Sequence, residues 1–410
     1  MKNKGKIHYA WFILAACCLL QTAILGIVQN CRGIFYDPVC SDLGLETSAF
    51  TLYSLFHGAA SFLSMPLTTR FLDRVHPRIA LFVTLTLFCG STALMGSVST
   101  LPAFYTLGAL QGVGGSLLIF YVCPFLINNW FDKRYGFAMG FYTAFSGLAG
   151  VVVNPLLNAV IEKSGWRTGF HVQGLMAFAV ALPAVLIIRS TKPETVGLAR
   201  YGESGRSAGT DPAAETAPAS PREKQLLVLA MVFTALVSLI NAYAQHLAKY
   251  ALSIGLTAAV GAMLMSLSMA GNIASKFVTG FLNDRIGAKK TLYVSTGSLV
   301  LAFSLILVTV PAVLYPAAVV SGNCMTICAL GVPMFAKYLY GPYRYRRFYR
   351  IITMITTLVS SAGITLVSLM AEGFGSYTPV MLIASGMAVL AAGIVFLASR
   401  LLQKPEKDPA

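Results

Sequence analysis

A chain of 410 residues that is 56% hydrophobic and only 11% charged lies far from a soluble globular protein, where about 25% of residues carry charge. The net charge of +15 would point to nucleic acid if the bases gathered on a soluble face, but they sit in short segments between apolar runs. An apolar run of about 18 residues reads as a membrane-spanning helix, and the recurrence of such runs along the whole chain excludes a soluble multidomain protein.

The pattern predicts twelve helices, at 9–36, 47–71, 78–98, 102–128, 135–160, 168–189, 225–250, 256–282, 290–310, 312–338, 348–371 and 378–402. The start, MKNKGK, has the look of a signal peptide, and ILAACC that of a lipoprotein cleavage box. The apolar run continues past Cys17 to Val28, which suits an uncleaved first helix better than a short signal core. The stretch TKPETVGLARYGESGRSAGTDPAAETAPASPREK follows the sixth helix and has almost no large apolar residues. It reads as a flexible cytoplasmic linker. The expected organisation is therefore a first bundle at 1–189, a linker at 190–224, a second bundle at 225–402 and a cytoplasmic tail at 403–410.

Lys and Arg fix the expected orientation. With the N-terminus in the cytoplasm, all but five of the 30 bases fall on the cytoplasmic side. Lys163, Arg167 and Lys249 fall outside, while Arg32 and Lys276 lie within helices. The expectation is a multi-pass protein of the cell membrane with both termini cytoplasmic. KYLYGPYRYRRFYR, from Lys337, reads as a basic aromatic loop at anionic lipids. The eight cysteines fall mostly in apolar segments and suit small core residues. A Cys31–Cys40 disulfide is left open. No metal or cofactor is expected.

The chain also repeats itself. RFLDRVHPR, around Asp73, and GFLNDRIGAKK, around Asp284, are offset by 211 residues, and EKSGWRTGF and EGFGSYTPV by 210. Two loops with nearly one offset indicate two homologous six-helix halves, a mark of secondary transporters.

With these segments the chain resembles the major facilitator superfamily, whose loop between helices two and three runs roughly G-x-x-x-D-R-x-G-x-K-K. Gly280, Asp284, Arg285, Gly287, Lys289 and Lys290 fit it, whereas the first copy keeps Asp73, Arg74 and Arg78 but has Thr69 and His76 at the glycine places. The resemblance implies an all-α membrane protein with two pseudo-symmetric six-helix bundles around a central cavity, in which this motif stabilises one conformational state. Trp130, Phe131, Lys133, Arg134, Gly136 and Ala138, then Gly147, Gly150, Pro155 and Gly165–Arg167, resemble the branch of monocarboxylate transporters and oxalate:formate antiporters. The arginine that many facilitators carry in helix four is missing, with Gly108 in its place, and helix eleven lacks the second lysine of oxalate exchangers.

Lys276 lies eight residues before Asp284, about 12 Å into the bilayer at roughly 1.5 Å per residue. That depth strains snorkelling. Asn272, Lys276 and Gly280 share a helix face by their spacing. In the branch a substrate-contacting cation stands four residues before this glycine, and some members have an acid where Asn272 stands here. The resemblance implies that Lys276 holds a substrate carboxylate, against a purely structural lysine. Gln29, Asn30 and Arg32 at the outer half of helix one are candidate cavity residues, with Arg32 either contacting substrate or pairing with Asp37. His57 is a candidate for proton coupling or for packing. Gln245, His246 and Lys249 read as an outer gate or a solvated helix end. Tyr121, Tyr142 and Asn154, with Asn128 and Asn158, can face a cavity or make packing hydrogen bonds worth about 0.6 kcal/mol.

The expected function is secondary transport of a small organic anion, foremost a monocarboxylate, with a proton or counter-anion, by a monomer in the bilayer. A facilitator for a neutral or cationic solute and a non-transporting sensor are the alternatives. An intramembrane enzyme would need paired catalytic groups at one depth, and the sequence offers none.

Overall fold

The computed structural model describes residues 8–202 and 220–403. The MKNKGK start, positions 203–219 of the expected linker and 404–410 of the expected tail lie outside the described residues. The first compact unit, Met1–Arg206, holds α1 (Tyr9–Phe35), α2 (Tyr53–Arg74), α3 (Pro77–Ser97), α4 (Leu101–Trp130), α5 (135–164) and α6 (166–187). The second, Ser207–Ala410, holds α7 (Pro221–Ala244), α8 (258–286), α9 (288–306), α10 (Ala312–Gly341), α11 (342–374) and α12 (Thr378–Gln403). Each unit thus carries six long helices among the described residues. Large side chains such as Leu63, Leu67, Val151, Leu175, Leu382 and Leu390 stay exposed, the pattern expected where lipid is the solvent. Helices suit that solvent because every interior backbone group is bonded within its own segment.

Several expected loops are much shorter than the sequence suggests. At 165, 287 and 341 the turn is one glycine in the left-handed region, with φ of +80°, +82° and +63°. Glycine has no β-carbon to clash there, so the chain changes direction in one residue. The RIGAKK loop and the KYLYGPYRYRRFYR loop are consequently helical on both sides of Gly287 and Gly341. In the latter, Tyr345 stacks on Tyr349 at 4.6 Å and Tyr340 on Phe348 at 3.9 Å, all of them buried. These four aromatic rings pack into the protein.

The repeats are visible in the backbone. Gly165 and Gly375, offset by 210, both have positive φ. His76 stands 211 residues before Gly287 and solves the same turn differently. It adopts an extended conformation, its ring accepts from the Arg78 amide at 3.3 Å, and Pro77 opens α3. Proline at the first helical position loses no helical bond, so the first copy needs no glycine here.

The described residues of the expected linker, 190–202 and 220–224, have defined contacts. Arg200 donates from Nε to the Asn129 carbonyl at 3.1 Å and from Nη2 to the Asn128 carbonyl, at the end of α4. The Tyr201 amide donates to Trp130 O at 2.8 Å, and Tyr201 O accepts from the amides of Asp132 and Lys133. The Tyr201 ring meets His8, Trp11 and Phe131 edge-on or tilted. Arg200 and Tyr201 therefore pack on the first unit, because α4 ends with carbonyls that need donors. At the other end, Ser220 and Glu223 form a capping box that opens α7, and Arg344 pairs with Glu223.

One apolar core cluster of the first unit lies where the loops after α1, α3 and α5 meet. It includes Phe35, Phe50, Tyr53, Phe104, Trp166 and Phe170, with Phe35 stacked on Phe170 at 3.9 Å. Trp166 Nε1 donates to Asp42 Oδ2 at 2.9 Å, and Arg167 reaches Val98 O and Ser99 Oγ. All eight cysteines are free thiols, and Cys31 and Cys40 are both buried without a disulfide.

Candidate functional site

In the second unit the site grows from a close crossing of α8 and α10. A β-carbon on Gly271 would overlap the Val319 carbonyl, and one on Gly322 would overlap Ser268 O and Asn272 N. Small residues let two backbones approach to this degree, and the neighbouring hydroxyls then bond across. Ser268 and Ser321 lie 3.2 Å apart. The Thr326 hydroxyl sits 3.3 Å from both O and Oδ1 of Asn272, and Ser275 bonds Thr326. One turn beyond Asn272 stands Lys276, only 4% exposed. Asn272, Lys276 and Gly280, placed on one face by spacing, are all buried. The position 211 residues earlier is Met65, also fully buried. The same helix in the sister unit is therefore built with an apolar side chain where this one carries an ammonium.

In the first unit the candidates gather around an irregular α1. Its middle is a π-helical stretch, Thr22–Gln29, followed by a 3-10 turn, Arg32–Phe35. Such stretches leave carbonyls short of donors, and Gln173 of α6 supplies one, its Nε2 lying 2.9 Å from Ile27 O. At the start of the 3-10 turn, Arg32 Nη2 donates to Gln111 Oε1 of α4 at 2.7 Å, and the guanidinium lies 5.6 Å from the Tyr53 ring centre. Gln111 Nε2 in turn lies 2.6 Å from Thr92 Oγ1 of α3. His57 is buried, its Nε2 3.5 Å from Gln29 Nε2 and its ring edge-on to Phe88. Gln29, Arg32 and His57 thus join one polar cluster, completed by Gln111 and Thr92. Asp37, the other candidate partner of Arg32, has its side chain outside the described set.

The remaining candidates scatter. Asn30 turns to α5, where its Nδ2 donates to Ser146 O at 3.0 Å and it flanks Gly150 beside Asn154. Tyr121 is buried and stacks on Phe125 at 5.4 Å, and Tyr142 is buried in α5. Asn158 bonds Glu162 at an exposed position. Asp73, Arg74, Asp284 and Arg285 are exposed near helix ends, with Arg285 4.7 Å from the Phe281 ring centre. His246, expected at an outer gate or solvated end, is buried with Nδ1 2.9 Å from Ala242 O, while Lys249 is exposed. Gln111, Thr92 and Thr326 escaped the sequence reading. The one signal for Gln111 is an amide within the small apolar run GALQGVGG.

The comparisons agree with this architecture. A bacterial relative, the oxalate:formate antiporter of Oxalobacter formigenes, is 26% identical over 350 residues, covering 82% of this chain and 75% of that protein. Monocarboxylate transporter 12 of Rattus norvegicus is 24% identical over 309 residues, covering 70% of this chain and 63% of its own length. A solved structure of the facilitator FucP in the outward conformation superposes with a TM-score of 0.70 at 15% identity, covering 97% of this chain and all of that one, which speaks for the fold alone. The family pattern of the Major Facilitator Superfamily matches residues 11–364. The chain is thus a multi-pass membrane transporter rather than an enzyme, and it belongs to the major facilitator superfamily.

Proposed function

We propose that the protein moves a small organic anion, foremost a monocarboxylate, across the cell membrane by alternating access, coupled to a proton or to a counter-anion. The monomer is the working unit, with both termini cytoplasmic. Lys276 carries this reading. A lysine near the membrane centre costs about 2.5–3.5 kcal/mol on insertion scales. Met65 fills the matching place in the sister unit, so the fold does not require that expense. An ionisable group kept at such depth is a functional group by default. The names of the two relatives, an oxalate:formate antiporter and a monocarboxylate transporter, point to carboxylates as cargo. Arg32 is the candidate cation of the first unit. Asn272, neutral and bonded to Thr326, supplies no internal carboxylate for Lys276, which favours exchange of anions over a relay between these two positions.

Proteoliposome uptake of labelled formate, acetate, lactate and oxalate tests the proposal, with thermal stabilisation by the same anions at two pH values. Lys276→Gln abolishes uptake and stabilisation, and Lys276→Arg keeps part of both. Transport of a neutral or cationic solute that survives Lys276→Gln, with no carboxylate moved, would overturn it in favour of a facilitator for such a solute.

A further inference from the structure

We propose that Gln111 and Thr92 are positioning residues that hold the Arg32 guanidinium, still charged, for the transported anion. The inference rests on the anion reading above and adds two residues to it.

The hydrogen-bond chain has only one consistent direction. Thr92 Oγ1 lies 2.8 Å from Phe88 O, and a hydroxyl has a single proton to donate. That proton is committed to the carbonyl, so toward Gln111 the hydroxyl can only accept. The Gln111 atom 2.6 Å away must then be its amide nitrogen. The amide oxygen faces the other way, 2.7 Å from Arg32 Nη2, where only an acceptor serves, since a guanidinium has no acceptor of its own. An amide whose orientation is normally a matter of assignment is here fixed from both ends. Gln111 and Thr92 are each only 1% exposed, so protein covers both side chains.

Neutrality is the second half of the argument. A carboxylate at 111 would fix Arg32 equally well but would cancel its charge. An amide anchors the cation and leaves the charge for a ligand. Arg32 also needs an anchor from another helix, because it follows the π-helical stretch of α1 and opens the 3-10 turn, so it lacks a regular helical frame. Among the described residues its buried Nε has no hydrogen-bond partner. A buried donor left unpaired is costly, and an incoming carboxylate oxygen would satisfy it.

Thr92 is the informative target, since Thr92→Val preserves shape and removes only the hydroxyl. In proteoliposomes, Thr92→Val raises the apparent KM for the best carboxylate about threefold to tenfold, the effect of one lost hydrogen bond between neutral side chains. Vmax changes less than about twofold, and Thr92→Ser restores wild-type KM. In an Arg32→Gln background Thr92→Val has no further effect, as coupled residues require. Gln111→Glu, which neutralises the guanidinium, lowers uptake as far as Arg32→Gln does. The inference is overturned if Thr92→Val leaves KM unchanged, if it acts equally with and without Arg32, or if Thr92→Ser is as harmful as Thr92→Val. Carboxylate uptake that depends on Lys276 but not on Arg32 sinks the inference and spares the proposed function. The same Thr92 and Arg32 coupling seen for a non-carboxylate solute, with no carboxylate moved, sinks the proposed function and leaves the positioning chain intact.

Discussion

Gly112 of α4 lies against His57 of α2 so closely that a β-carbon would overlap the His57 carbonyl, and Gly322 of α10 meets Ser268 of α8 in the same way. Ser268 stands 211 residues after His57 and Gly322 stands 210 after Gly112, so both halves use one glycine-mediated crossing. Gly112→Ala and Gly322→Ala should each cost about 1–3 kcal/mol, the range for overpacking. Gly393→Ala, where a β-carbon meets nothing within 4 Å, should be neutral or slightly stabilising as a helix-interior change. Thermal unfolding of the three variants in one detergent checks this. Equal melting temperatures would deny the crossing.

Asn272 and Lys276 stand one helical turn apart, and Asn272 is held by Thr326. Asn272→Asp is expected to place a carboxylate beside the ammonium and compete with the cargo. Apparent KM should rise at least about tenfold, the effect of roughly 1.4 kcal/mol. The sign with pH follows from protonation. Acid neutralises the new carboxyl and frees the lysine, so uptake by the variant should recover as pH falls while the wild type changes less. Uptake-against-pH curves for both proteins decide it.

Trp166 Nε1 donates to Asp42 Oδ2 at 2.9 Å, whereas Arg167 is 4.0 Å from the same carboxylate with both side chains well exposed. The indole bond should therefore matter more than the ion pair. Trp166→Phe is expected to destabilise by about 1 kcal/mol or slightly more. Asp42→Asn, which keeps an acceptor, should cost under about 1 kcal/mol, since exposed ion pairs contribute little. Denaturation midpoints at low and high salt separate the two terms.

Arg200 and Tyr201 close the end of α4 through the Asn128, Asn129 and Trp130 carbonyls. Arg200→Ala with Tyr201→Ala should release this segment. Amide exchange at Asp132, Lys133 and Tyr201 should then accelerate by more than about tenfold, because local opening of roughly 1.4 kcal/mol corresponds to that factor. Exchange in the body of α4 should not change. Unaltered exchange at these three amides would mean that the segment contributes nothing to closing the turn.

Length of apolar runs, placement of bases and the duplicated acid-and-base motif are local properties, and they alone determined the membrane class, the two related halves and the anomaly of Lys276. A charge inside an apolar run needs no partner to be noticed. The glycine turns at 287 and 341 were hidden because Lys, Arg and Tyr at helix ends read as loop, although the backbone stays helical up to one residue. The docking of Tyr201 was hidden because its partners are terminal carbonyls of α4, which carry no side-chain signature. Only tertiary structure decided that His57, Arg32, Gln111 and Thr92 form one cluster. They come from four helices, and a hydrogen bond between residues 79 positions apart, such as Arg32 to Gln111, leaves no periodic trace in sequence. It exists because the close crossing at Gly112 and the distortion of α1 bring those side chains within reach, and neither feature has meaning until the helices pack.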